Sequence, residues 1–149
     1  MTNLTSGIYP ASMSVINNDL SLNAPQTVLH AEKLISFGCE GIILAGTTGM
    51  SSYLSIQDKM NLIEEASKSS QKEKMTIGPG MTSLLDTAAL INFAKSKGLN
   101  RFLCQPCAYG WPGIKNKGEA IYSYFSALLN RTGTCEIILY NFPKLVGVD

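Results

Sequence analysis

The chain has 149 residues, 45% of them hydrophobic and 15% charged, with a formal net charge of +1. That near-balance, without a basic run or stripe, argues against nucleic acid or an anionic membrane surface as the main partner. The longest apolar stretches, such as residues 40–46, are too short to cross a bilayer. The opening residues, Met1-Thr-Asn-Leu-Thr-Ser6, show no basic region followed by an apolar one, so no signal peptide is read and a single cytoplasmic domain is expected.

Along the chain, strand-like and helix-like patterns alternate. Residues 7–13 read as a first strand, followed by a polar turn at Asn17-Asn-Asp19. From Pro25 to Phe37 the apolar residues Val28, Leu29, Leu34 and Ile35 form a helical stripe, with Asn23 as cap and Gly38 as terminator. Gly41 to Ala45 is a short, continuous apolar run, the mark of a strand buried on both faces. A second helix is expected from Ser55 to Ser69, a third strand from Lys74 to Gly78, and a third helix from Ser83 to Lys97. A fourth strand follows at Arg101 to Gln105, a further helix at Lys117 to Asn130, and a fifth strand at Cys135 to Tyr140. Such alternation predicts a parallel sheet with right-handed crossovers. It leaves open a doubly wound sheet or part of a (β/α)8 barrel, and a complete barrel needs about 250 residues.

Cysteines stand at 39, 104, 107 and 135, scattered through apolar segments, which favours reduced thiols. Cys104-Gln-Pro-Cys107 has metal-like spacing, but no second pair accompanies it and His30 lies in a distant helical pattern, so no metal site is read.

Two segments carry chemistry. The second strand ends in Gly46-Thr-Thr-Gly49, followed by Met50, Ser51 and Ser52. Small residues and hydroxyls at the C-terminal end of a parallel strand offer backbone N–H and O–H donors suited to a carboxylate. The spacing of a phosphate loop, and its lysine, are missing. The fifth strand ends in Tyr140-Asn-Phe-Pro143, where a tyrosine can reach the same end of the sheet as a proton donor or acceptor.

Together with the Gly78-Pro-Gly80 turn, these motifs resemble in order and spacing the dihydrodipicolinate synthase and N-acetylneuraminate lyase family. The resemblance implies an α/β fold, a parallel (β/α)8 barrel of which residues 1–149 cover about five strands and four to five helices, lacking the C-terminal half. It implies a homotetramer that uses no cofactor and forms a Schiff base between a lysine and pyruvate. Carried over by position, Thr47, Thr48 and Gly49 would bind the pyruvate carboxylate, with Thr48 also passing protons. Tyr140 would be the acid/base, and Tyr109 matches the tyrosine donated across the subunit interface.

Three departures bear on the substrate. Met50 stands where the family usually has Glu, as in some sugar-acid aldolase relatives. The segment from Pro106 to Pro112 is one residue longer than the family's. Leu145 replaces the arginine with which the synthase branch holds its aldehyde's carboxylate, and adjacent Lys144 is a poor substitute. The expected reaction is therefore reversible aldol cleavage of a 2-keto(-3-deoxy) sugar acid, releasing pyruvate. The alternatives are the synthase reaction, condensing pyruvate with an aldehyde, a non-catalytic half-barrel, or an independent doubly wound binding domain. The resemblance places the Schiff-base lysine on the sixth strand, beyond Asp149. The lysines within the sequence, on helices or turns, read as solvated.

Overall fold

A computed structural model describes residues 5–107 and 113–147. Four parallel strands form one sheet: β1 (Ile42–Leu44), β2 (Met75–Ile77), β3 (Arg101–Cys104) and β4 (Glu136–Leu139). They are joined and flanked by α1 (Ala24–Ser36), α2 (Ile56–Lys68), α3 (Leu84–Ser96), α4 (Lys117–Thr132) and the single-turn α5 (Pro143–Val146).

The spatial order β1-β2-β3-β4 follows chain order without reversal. A doubly wound sheet reverses at a switch point and carries helices on both faces. Here α1 packs on α2, α2 on α3 and α3 on α4, in a continuous row. The face bearing Ile42, Leu44, Met75, Ile77, Phe102 and Cys104 is at most 2% exposed, covered by those helices. On the other face Ile43, Leu103 and Ile138 are half-buried and Thr76 is buried. One helix-covered face and one open face, in sequential order, is the architecture of a sector of a (β/α)8 barrel.

The expected first strand forms only in outline. Pro10 has no N–H, so a regular ladder cannot continue through it. The segment pairs with β1 at a single parallel bridge, Ala11 to Ile43. Ile43 N–H donates to Pro10 O and Ser12 N–H to Ile43 O, both at 2.9 Å, holding the segment along the free edge of β1.

Local signals end the helices where the sequence places them. Asn23 Oδ1 accepts from Gln26 N–H at 3.1 Å and caps α1. The buried stripe of α1 runs through Ala24, Val28, Ala31 and Ile35, and Leu29 turns outward at 43% exposure. A full capping box opens α2: Ser55 Oγ accepts from Asp58 N–H at 3.0 Å, and the Asp58 carboxylate accepts from Ser55 N–H at 3.1 Å. The same carboxylate accepts from Leu22 N–H at 3.1 Å, tying α2 to the segment before α1. Hydrogen bonds from Ser55 and Leu22 hold the Asp58 carboxyl below the usual aspartate range.

At the N-terminal end of the strands, Arg101 Nε donates to Glu136 Oε2 at 3.0 Å. The two are register partners in β3 and β4 and alternate onto the open face. They close that end of the sheet with an ion pair and leave the opposite end for the site. Among the described residues no helix is long and apolar enough to cross a membrane.

Candidate active site

At the C-terminal ends of the strands lies a cleft of about 280 Å³. Its walls include Gly46, Thr47, Ser51 and Ser52 after β1, Gly78, Gly80, Met81 and Thr82 after β2, Gln105 after β3, and Tyr140 after β4. Short parallel strands ending at one level gather these residues, distant in sequence, around one hollow.

The loop after β1 is tightly wound. Met50 N–H donates to Thr47 O and Ser51 N–H to Gly46 O, both at 3.1 Å. Among the described residues the N–H groups of Thr47 and Thr48 have no protein acceptor, so the turn offers donors to a ligand oxygen. Two non-glycine residues in the left-handed region, Ala45 (φ 50°) and Met50 (φ 59°), bracket the turn. Each such residue costs on the order of 1–2 kcal/mol, and strain of this kind clusters at functional sites.

Packing explains the glycines. A Cβ on Gly49 would stand 2.9 Å from Ser12 O and 3.2 Å from Ala45 Cα. Gly49 O also accepts from Ser14 Oγ at 2.7 Å. A Cβ on Gly78 would stand 2.5 Å from Ala45 O, where β1 and β2 come together.

Of the residues singled out in the sequence, Thr47 and Tyr140 line the cleft. Thr48 is exposed and Gly49 is buried against Ser12 and Ala45, and neither is among the lining residues. Tyr109 lies outside the described residues, as does the side chain of Leu145. Tyr140 is half-buried, its N–H donates to Cys104 O at 2.8 Å, and its ring meets Phe142 at 6.3 Å between centroids. It also borders a second hollow of about 420 Å³ on the α4 side, shared with Pro106, Ile121 and Phe125. Lys144 is exposed on α5.

Cys104 is buried at 2% exposure, and burial pushes its thiol up to about 12, a chemically quiet state. Among the described residues no group of His, Cys, Asp or Glu is arranged to hold a metal ion.

One lysine departs from the solvated reading. Lys59, on α2, is only 2% exposed. Its Nζ donates to Pro79 O at 2.7 Å and Gly80 O at 3.2 Å, and touches Met81 Sδ at 3.3 Å. Burial lowers its pKa to about 8. Ser51 is 7% exposed and, among the described residues, its Oγ has no hydrogen-bond partner although it borders the cleft.

The geometry meets a known family at this point: the profile of the Dihydrodipicolinate synthetase family matches residues 4–149. The chain belongs to that family. It is 30% identical over 144 residues to the 4-hydroxy-tetrahydrodipicolinate synthase of Methanosphaera stadtmanae, an alignment covering 96% of this chain and 47% of that protein. Among solved structures it is similar to YagE, a prophage protein of the dihydrodipicolinic acid synthase family from E. coli, crystallised with pyruvate. That match has a TM-score of 0.83 at 25% identity and covers 97% of this chain and 47% of YagE. A variant of 2-keto-3-deoxygluconate aldolase from Sulfolobus solfataricus, solved as a pyruvate complex, matches with a TM-score of 0.82 at 22% identity. It covers 97% of this chain and 47% of that one, and at this identity shares the fold. The chain spans about half the length of the curated relatives it matches. The family's members are lyases and synthases acting on pyruvate, and the fold of this chain is about half of their barrel.

Proposed function

We propose that residues 1–149 supply the carboxylate cleft and the acid/base tyrosine of a Schiff-base (class I) pyruvate lyase. The convergence of Thr47, Ser51 and Tyr140 on one cleft at the C-terminal ends of the strands carries this reading. In it the segment is the N-terminal part of a single barrel domain, and the reactive lysine comes from outside these residues. Among the described residues no lysine lines the cleft.

In the forward direction the lysine amine condenses with the keto carbon of a 2-keto-3-deoxy sugar acid, expelling water and leaving an iminium. The Tyr140 side chain takes the proton of the hydroxyl on C4 as the C3–C4 bond breaks. The bonding electrons move onto C3 to give an enamine, and the aldehyde departs. Protonation at C3 and hydrolysis of the iminium release pyruvate and restore the lysine. The N–H and hydroxyl of Thr47 hold the carboxylate throughout, fixing the keto carbon against the lysine. A tyrosine is suited to the proton transfer because a positioned phenol can act as acid and as base in turn.

Met50 and Leu145 favour the sugar-acid cleavage. An exposed methionine at 41% exposure follows the Gly-Thr-Thr-Gly turn, and Leu145, not an arginine, stands just after the tyrosine motif where a second carboxylate would be paired. The second reading is condensation of pyruvate with an aldehyde, favoured by the names of the synthase relatives at about this identity. Tyr109 would complete the site from a neighbouring copy of the chain.

The test is reductive trapping. The protein, expressed from its gene in full, is incubated with pyruvate and borohydride, and the adduct is located by peptide mass. A pyruvate adduct on a lysine outside residues 1–149 is the expected result. No adduct, or one on Lys59 or Lys144, contradicts the reading.

A further inference from the structure

We propose that Lys59 is a positioning residue of the cleft: from behind, its ammonium clamps the Gly78–Met81 turn and so keeps the carboxylate pocket open. The inference rests on the reading of the cleft given above and adds a residue to it.

A charged amine buried at 2% exposure needs compensation, and charged groups go fully buried only when paired or strongly hydrogen-bonded. No acid lies within ion-pair distance of Lys59 among the described residues. Its partners are the carbonyls of Pro79 and Gly80 and the Met81 sulfur, three consecutive residues of one turn. The spacing is the signature of a clamp on backbone, since each carbonyl is fixed by a single, charge-assisted donor. Gly80 and Met81 are themselves walls of the cleft, while Lys59 is not.

The turn has little freedom without the clamp's geometry. Gly80 holds φ +43°, and a Cβ there would stand 2.1 Å from Ser51 Oγ and 3.7 Å from Lys59 Nζ. Gly80 thus leaves no room for a side chain beside the serine and the ammonium. Ser51 borders the cleft, and its Oγ, buried against Gly80, has no hydrogen-bond partner among the described residues. Releasing the Pro79 and Gly80 carbonyls would let Gly80 and Met81 collapse into the space that Thr47 and Ser51 face. The buried positive charge behind the wall also favours an anion in front of it.

Lys59→Met keeps the length and loses the donors, whereas Lys59→Arg keeps both charge and donors. Hydrogen exchange is measured on the protein expressed from its gene in full and on both variants, with pyruvate affinity followed in parallel. Lys59→Met is expected to speed exchange about tenfold in residues 78–82 and 46–52, with α1 and α4 unchanged, and Lys59→Arg to restore most of the protection. Pyruvate affinity is expected to fall about tenfold in Lys59→Met and to recover in Lys59→Arg. Wild-type exchange in both loops of Lys59→Met overturns the proposal. So does acceleration spread evenly over all helices, which marks a general structural role. Should Lys59→Met not fold, Lys59→Gln is compared in its place, with the same two outcomes. The exchange arm decides Lys59 by itself. A wild-type chain that takes up no pyruvate overturns instead the reading of the cleft, and with it the effect on affinity.

Discussion

Gly78→Ala is expected to destabilise the chain by about 3 kcal/mol or more, at the upper end of what overpacking costs. The added methyl would stand 2.5 Å from Ala45 O, 3.0 Å from Ala45 C and 3.1 Å from Gly46 N. All three are backbone atoms, so no rotamer change relieves the clash. The strands must separate, and with them the hydrogen bond from Gly78 N–H to Leu44 O at 2.8 Å. In a chain of this size the loss corresponds to a fall in Tm of roughly 6–12 °C. Gly118→Ala is the control. Gly118 sits in the first turn of α4, and a Cβ there would meet nothing nearer than 3.7 Å. Replacing a helical glycine should raise stability by up to about 1 kcal/mol. Thermal melts of the two variants should therefore move in opposite directions, and a Gly78→Ala melt equal to wild type would refute the close approach of β1 and β2.

The second large effect belongs to Tyr140. In the full-length protein, Tyr140→Phe should lower kcat for cleavage of a 2-keto-3-deoxy sugar acid by about 10²- to 10⁴-fold, the range for loss of a positioned acid/base group. KM should change far less, because the carboxylate donors of the turn after β1 are untouched. Stability should stay within about 1 kcal/mol, since the ring keeps its contact with Phe142 and only a half-exposed hydroxyl is removed. A coupled assay of pyruvate release checks both parameters. A variant with wild-type kcat removes the tyrosine from the chemistry and returns it to packing.

How much of this was legible in the sequence depends on the kind of signal. The helices announced themselves through local physics: the Asn23 cap and the Ser55–Asp58 capping box act within one turn, and the structure forms both. Strands β1 to β4 followed from short apolar runs. The choice between a doubly wound sheet and a barrel did not, because it depends on strand order and on which face the helices cover. Sequence periodicity carries neither. The first strand was over-read because Pro10 interrupts a ladder that its apolar neighbours would otherwise support.

The site divides in the same way. Thr47, Ser51 and Tyr140 stand next to strand ends, where small and hydroxylated residues mark a mouth of the fold. The meeting of Thr47 and Tyr140 around one cleft could be anticipated from a resemblance, and not from spacing alone, whereas Ser51 was not among the residues it carried over. Lys59 could not be anticipated. It sits in Ile56-Gln-Asp-Lys-Met60, amid polar neighbours on an amphipathic helix, where a lysine ordinarily faces water. What buries it is the turn after β2, some twenty residues on, folding over the helix start and presenting two carbonyls. Nothing local encodes that contact. The only trace in the sequence is Gly80, required at positive φ against Ser51.

The central question is whether this cleft is a carboxylate site for a 2-keto acid. The most direct measurement is a pyruvate titration of the ¹⁵N-labelled 149-residue chain, followed amide by amide. Saturable shifts are expected, confined to residues 46–52 and 78–82 and to Tyr140, at millimolar pyruvate, as suits binding of only about 4 kcal/mol without a covalent bond. The strand ends around Arg101 and Glu136 should not move. An unchanged spectrum, or shifts centred anywhere other than the loops after β1, β2 and β4, would contradict a carboxylate site there.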